Sequence, residues 1–174
     1  MKKLFIIALA AMFALVSCDK SGGNDTPGDT VSLEGRWNAP RFEDNPRDIA
    51  YSFVFKGNTL DLYVIAYGWR CSGTYTYSNN EITYNISSIK QSLIGVEYDE
   101  EHHIIAYSGG MGSLNATTLE PSEGYSWYGL EENRSDLVEE YKVNYAKFTF
   151  KLTSSTTADC NIMGPAEVFK FKKQ

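Results

Sequence analysis

The chain has 174 residues, of which 22 are acidic and 16 are lysine or arginine, giving a formal charge of −6. That balance argues against non-specific nucleic-acid binding, which rests on neutralising phosphates; the one basic cluster is the terminal Lys170, Lys172 and Lys173. The length is one domain's worth, sufficient for a proper core.

Met1-Lys2-Lys3 leads into a purely apolar run, Leu4 to Val16, followed by Ser17-Cys18. A positive start, a short apolar core and a small residue at the cut predict a signal peptide over 1–17. The run is too short to cross a bilayer as a helix, so the mature chain is expected to lack a transmembrane helix. Leu15-Val16-Ser17-Cys18 resembles the lipobox of bacterial lipoproteins. The resemblance implies that Cys18 carries diacylglycerol and an amide-linked acyl chain such as palmitate. Two or more such hydrophobic signals anchor a protein stably, so a lipid-anchored protein of a Gram-negative envelope, at the outer membrane, is expected. The alternative is an ordinary cleaved signal with an incidental cysteine.

Residues 18–32 are read as the lipidated cysteine and a flexible acidic tether, because "DKSGGNDTPGDT" (19–30) contains no large apolar residue and cannot offset its ordering entropy. Asp29-Thr30-Val31 resembles a short bacterial O-glycosylation signal, although plain linker is the favoured reading. Loss of 1–17 removes Lys2 and Lys3 and makes the chain two charges more acidic. Cys71 and Cys160 then remain, an even pair in an oxidising compartment, which invites one disulfide. Two separate buried thiols are the alternative.

The folded domain is expected over 33–174, and its elements read as strands with a period of two. Ala50 to Lys56 and Thr59 to Tyr67 flank the hairpin dipeptide Gly57-Asn58. Leu60, Leu62, Val64 and Ala66 share one face of the second; Asp61, Tyr63, Ile65 and Tyr67 share the other. Cys71 to Tyr77, the turn Ser78-Asn79-Asn80, and Glu81 to Ser87 complete a four-strand meander. A strand at His102 to Ser108 pairs with one within 92–98. The Gly-rich stretch 108–124 is too long for a simple connection and is expected to form a lid or rim. Tyr125 to Leu130 reads as a strand, and Asp136 followed by Glu139 predicts a short helix start. Lys142 to Thr153 is strand-like, and 157–163 with 166–172 form a closing hairpin around Gly164-Pro165.

Short antiparallel strands joined by local turns predict an all-β fold: an up-and-down barrel of about eight to ten strands with at most one short helix. Leu33-Glu34-Gly35-Arg36-Trp37 resembles the G-x-W signature on the first strand of lipocalins and their bacterial lipocalin-like relatives, and the meander 51–86 resembles the succeeding strands of those barrels. The resemblance implies that Gly35 lets the chain enter tightly and that Trp37 plugs the closed end of the barrel. It also suits a Cys71–Cys160 disulfide from a middle strand to the C-terminal segment. This chain has no second Thr-Asp-x-Tyr-like signature, and no arginine near the last strand to cap the tryptophan. Lys170 or Lys172 is expected to take that place through its alkyl stem.

Catalytic and metal chemistry find little support. His102 and His103 are adjacent, so on a strand they point to opposite faces and cannot share an ion. Asp99 and Glu101 would share a face, yet an acidic turn is the simpler reading. No catalytic residue, metal site or cofactor is assigned, and the chain is read as not an enzyme. Aromatics are richer: three tryptophans and twelve tyrosines. Tyr63 and Tyr67 share one strand face, Tyr75 and Tyr77 share another, Trp69 stands near a strand end, and Trp127 lies on the Tyr125 to Leu130 strand. These six are the candidate ligand-binding residues, against the bland reading that tyrosines cover sheet faces routinely. The expectation is a monomeric, membrane-anchored, lipocalin-like binding protein for a small apolar or amphipathic ligand. The alternative is a filled barrel that contacts an envelope protein or glycan.

Overall fold

The structure, a computed structural model, describes residues 32–98, 104–107, 112–130, 135–164 and 166–174. The signal peptide, Cys18, the tether, and the Asp99, Glu101, His102 and His103 readings lie outside the described residues.

Inward-facing positions recur every second residue along β1 (Gly35–Phe42), β2 (Asn45–Lys56), β3 (Thr59–Val64), β4 (Trp69–Ser78) and β5 (Glu81–Leu93). Each of these strands pairs antiparallel with the next. β9 (Lys147–Leu152), β10 (Thr157–Asn161) and β11 (Phe169–Lys173) continue the wall from β5, and β11 returns to β1. The result is a closed, eight-stranded, up-and-down antiparallel barrel, the lipocalin-like all-β architecture expected from the meander. Turn chemistry supports it locally. Asn79 and Asn80 both take positive φ, 52° and 61°, as a tight two-residue hairpin requires.

Everything between β5 and β9 is an insertion in that meander. It contains the hairpin of β6 (Val96–Tyr98) and β7 (Ile104–Tyr107), the strap 112–124, β8 (Ser126–Gly129) and the helix α1 (Ser135–Tyr145). β8 pairs with the second half of β5, Lys90 to Leu93, while β9 pairs with its beginning, Glu81 to Thr83. Both lie along the same edge of β5, and α1 is the connection between them. The helix therefore stands within the strand series rather than after it. It also takes residues 142–145, which the sequence pattern assigns to a strand. Residues 65–67 likewise leave the β3 pattern for a single 3-10 turn.

Alternation puts Trp37, Phe53, Phe55, Leu60, Leu62, Cys71, Ile82, Ile89, Phe150, Cys160 and Phe171 inside, each under 2% exposed. Phe53 meets Phe55, Phe148, Phe150 and Phe171 with ring centroids 4.5 to 6.0 Å apart. Burial of each such ring contributes about 1.5–3 kcal/mol, so this cluster is the main apolar driving force for closing the wall.

The cysteine expectation needs correction. Cys71 and Cys160 are both buried thiols, and no disulfide joins them. Cys71 lies between Leu62 and Ile89, and Cys160 between Phe150 and Phe169. β5 and β9 thus separate their strands. Three interstrand steps of roughly 4.8 Å exceed the Cα separation of about 7 Å that a disulfide spans. Burial also raises the Cys160 thiol pKa well above its usual value, as suits a small apolar filler.

Candidate functional site

Trp37 fills one end of the barrel. Its indole nitrogen donates to the Leu33 carbonyl at 2.8 Å, and the Lys173 ammonium lies 5.5 Å from its ring centroid. Lys173, rather than Lys170 or Lys172, is the cap, because Trp37 and Lys173 are cross-strand partners while the other two lysines are exposed on the outer face. Gly35 has φ +107°, and a Cβ there would stand 3.3 Å from Lys173 Cε. The glycine of the motif thus permits both the backbone turn and the cap.

The opposite end is covered by α1. Val138 and Tyr145 of the helix are buried, and Tyr141 stacks on Trp69 at 4.6 Å with 30° between the planes. Tyr51 packs edge-on against Phe169 at 4.7 Å. Burial, with a smaller contribution from Glu167, raises its phenol pKa to about 12. Tyr84 is buried, and its single hydroxyl proton is shared between the carbonyls of Leu60 and Cys71, on the adjoining strands β3 and β4, at 2.8 and 2.7 Å. Burial raises the pKa values of Tyr84 and Tyr145 as well.

The six aromatic candidates therefore do not form one site. Tyr75 and Tyr77 face inward near the Trp37 end, partly buried, with Tyr75 5.0 Å from Phe55. Trp69 faces inward at the other end beneath Tyr141. Tyr67 sits on the 3-10 turn and is 58% exposed. Tyr63 and Trp127 belong to one apolar cluster, outside the barrel.

That outer cluster is the second core of the molecule. Tyr63, Ile65, Leu114 and Leu119 are buried together, with Ile49, Val54, Ala116 and Trp127 packed against them. The strap, residues 112–124 of the Gly-rich stretch, starts at the β3–β4 turn, where Leu114 N donates to the Ile65 carbonyl at 3.0 Å, and runs on over the outer wall. Gly68 and Gly112 permit its close approach, since a Cβ on Gly68 would stand 2.0 Å from the Gly112 carbonyl oxygen. Arg36 pins it electrostatically. One guanidinium nitrogen donates to the Thr117 carbonyl at 2.6 Å and the other to that of Ala116. Its Nε donates to Asn38 Oδ1 and Ser52 Oγ at 2.9 and 3.1 Å. Beside the strap, Arg70 pairs with Asp61 at 2.9 Å and lies 5.5 Å over the Tyr63 ring. Burial is the chief cause of a raised Tyr63 pKa, partly opposed by Arg70. Trp127 Nε1 donates to Glu120 at 2.9 Å.

Sequence reasoning missed Arg36, Asn38 and Ser52. The signal was available, since Arg36 and Asn38 alternate with Trp37 and so must face outward together. What they would meet there was not, because the strap arrives from some 80 residues away. Among the described residues no group of three or more His, Cys, Asp or Glu side chains could hold a metal ion. The arrangement offers hydrogen-bond donors, an ion pair and partly buried aromatic rings on the outer wall, and closely packed rings around Phe53 inside. No protein-family model, curated protein or solved structure matches the chain.

Proposed function

We propose that this chain is a lipid-anchored, lipocalin-like protein of a bacterial cell envelope, tethered through Cys18, whose barrel is a binding module that acts through its outer surface. It contacts another component of the envelope, protein or glycan, and performs no catalysis. The lipobox and the G-x-W start support the placement. One observation carries the choice of surface over interior: the space where a lipocalin-like carrier would hold an apolar molecule is filled by Trp37, Phe53, Phe55, Phe150 and Phe171. α1 stoppers the remaining end through Tyr141 and Trp69. A carrier needs a cavity of about 300 Å³ or more, apolar and open to its ligand.

The test is titration of the full chain with a fluorescent fatty acid and with a naphthalene sulfonate dye. The expected result is no saturable binding and no change in tryptophan emission. One-to-one binding to the folded protein, with quenching of Trp37 or Trp69, overturns the reading and restores the internal-ligand alternative.

A further inference from the structure

The barrel wall has a place where neighbouring strands part. β1 and β11 are in register at Trp37–Lys173 and Asn38–Lys172 and no further, although β1 runs on to Phe42 and β11 starts at Phe169. Pro40 is the cause. The register of β1 against β2 slips on both sides of it, and its ring nitrogen has no hydrogen to give a neighbouring strand. A cleft of about 590 Å³ opens there.

Its two sides differ in chemistry. Pro40, Pro46 and Ile49 form an apolar side; Asn38, Lys170 and Lys172 line the other. Asn38 is only 8% exposed. Its Oδ1 accepts from Arg36 Nε at 2.9 Å and from the Ser52 hydroxyl at 2.7 Å. A guanidinium can only donate, which fixes the oxygen end of the amide. Nδ2, the donating end, takes part in neither of these bonds, and Asn38 lines the cleft. Lys172 is the cross-strand neighbour of Asn38, exposed, and in no ion pair among the described residues. Lys170 shares its charge with Asp159 at 3.0 Å. Glu43 also lines the cleft, and its charge repels an acid placed beside it, so the favourable position is at Asn38 and Lys172.

We propose that this cleft recognises a carboxylate carried by an extended, acidic peptide segment of a partner protein. The carboxylate accepts from Asn38 Nδ2 and pairs with Lys172, and aliphatic side chains flanking it lie on Pro40, Pro46 and Ile49. The inference rests on the surface-contact reading above and narrows its partner to a protein. Two observations favour peptide over sugar. No residue lining the cleft is aromatic, so a sugar ring has nothing to stack on. Beyond Asn38 β1 has no strand partner on its β11 side; Pro40 there can accept through its carbonyl but cannot donate, so a peptide main chain joins this edge by donating to it.

The experiment is fluorescence anisotropy of the full chain with a labelled peptide of alternating valine and glutamate, against the same peptide with glutamine for glutamate. The expected result is saturable, salt-sensitive binding of the glutamate peptide alone. Asn38→Asp keeps the acceptor for Arg36 and Ser52 but puts an anionic oxygen where the donor was, and weakens binding about tenfold or more. Lys172→Gln, at an exposed position that leaves folding intact, weakens it about threefold or more. Affinity unchanged in both variants overturns the proposal. So does equal binding of the glutamine peptide, tighter binding of an acidic polysaccharide such as polygalacturonate, or displacement of the peptide by glutarate at equal concentration. The fatty-acid titration reads the barrel interior separately. A silent interior with no peptide binding removes this site alone, whereas a ligand-filled interior removes the surface reading itself.

Discussion

The two faces of the β2–β3 wall are built by different means. Inside, Phe53 and Leu62 join a core made almost wholly of barrel strands, where each strand's alternation supplies the next partner. Outside, Tyr63 and Val54 are covered by a strap that has little regular structure and is fixed by two glycines and one arginine. The inner core closes the barrel, and the outer one attaches an insertion to a wall already closed. Damage to the first should unfold the molecule; damage to the second should release the strap and leave the barrel standing.

Alkali should give the largest effect. The Tyr51 pKa is raised from 10 to about 12, and those of Tyr84 and Tyr145 are raised in the same direction. A raised folded-state value means that the unfolded chain gives up its protons first. Stability is therefore full below pH 10 and falls as pH rises from there through about 12. Tyrosinate absorbance should appear together with loss of near-ultraviolet dichroism; smooth tyrosine titration without unfolding would contradict the filled interior.

Phe53→Ala comes next, at about 3–5 kcal/mol, read as a large fall in the urea midpoint. Leu114→Ala, in the outer cluster, should cost about 2–3 kcal/mol at most. In hydrogen exchange the strap amides should speed up while those of β1–β5 stay protected. If the barrel amides exchange with the strap, the two cores form one cooperative unit and the contrast fails. Arg36→Gln should cost about 1.5–3 kcal/mol, the range for hydrogen bonds to a charged group, and expose 112–124 to limited proteolysis. Lys173→Ala should be the mildest, at about 0.5–1 kcal/mol for a partly exposed cation–π contact, with a shift in Trp37 emission as its signature.

The same contrast explains what could be read from the residues. The inward set Leu60, Leu62 and Val64, the Gly57-Asn58 and Asn79-Asn80 turns and the G-x-W start were legible because each is encoded within a few neighbouring positions. The parity that places Tyr63 opposite Leu62 was equally legible. What Tyr63 meets was not, since its neighbours Leu114 and Leu119 come from the Gly-rich stretch 108–124, whose composition suggests a lid or rim rather than a layer on the wall. Helix α1 was half seen: Asp136 and Glu139 suggested a start, but the alternation from Ala146 onward invited extending β9 back through Lys142. The disulfide was inferred from compartment and cysteine count, and strand order separates the thiols. Lys173 was passed over for its neighbours because strand register, not proximity in sequence, selects which lysine reaches Trp37.

The wall closes by joining Trp37 to Lys173. During synthesis β1 emerges well before its partner β11, so no nascent chain short of β11 can complete the barrel. Until then Trp37, Phe53 and Phe55 lack the far side of their core, and the edge of β1 stays open to other chains. Closing so long a loop is slow compared with pairing of the local hairpins. A chain cut short before β11 (Phe169–Lys173) should thus have its hairpins formed and its interior exposed, a substrate for chaperones and proteases rather than a slightly shortened barrel.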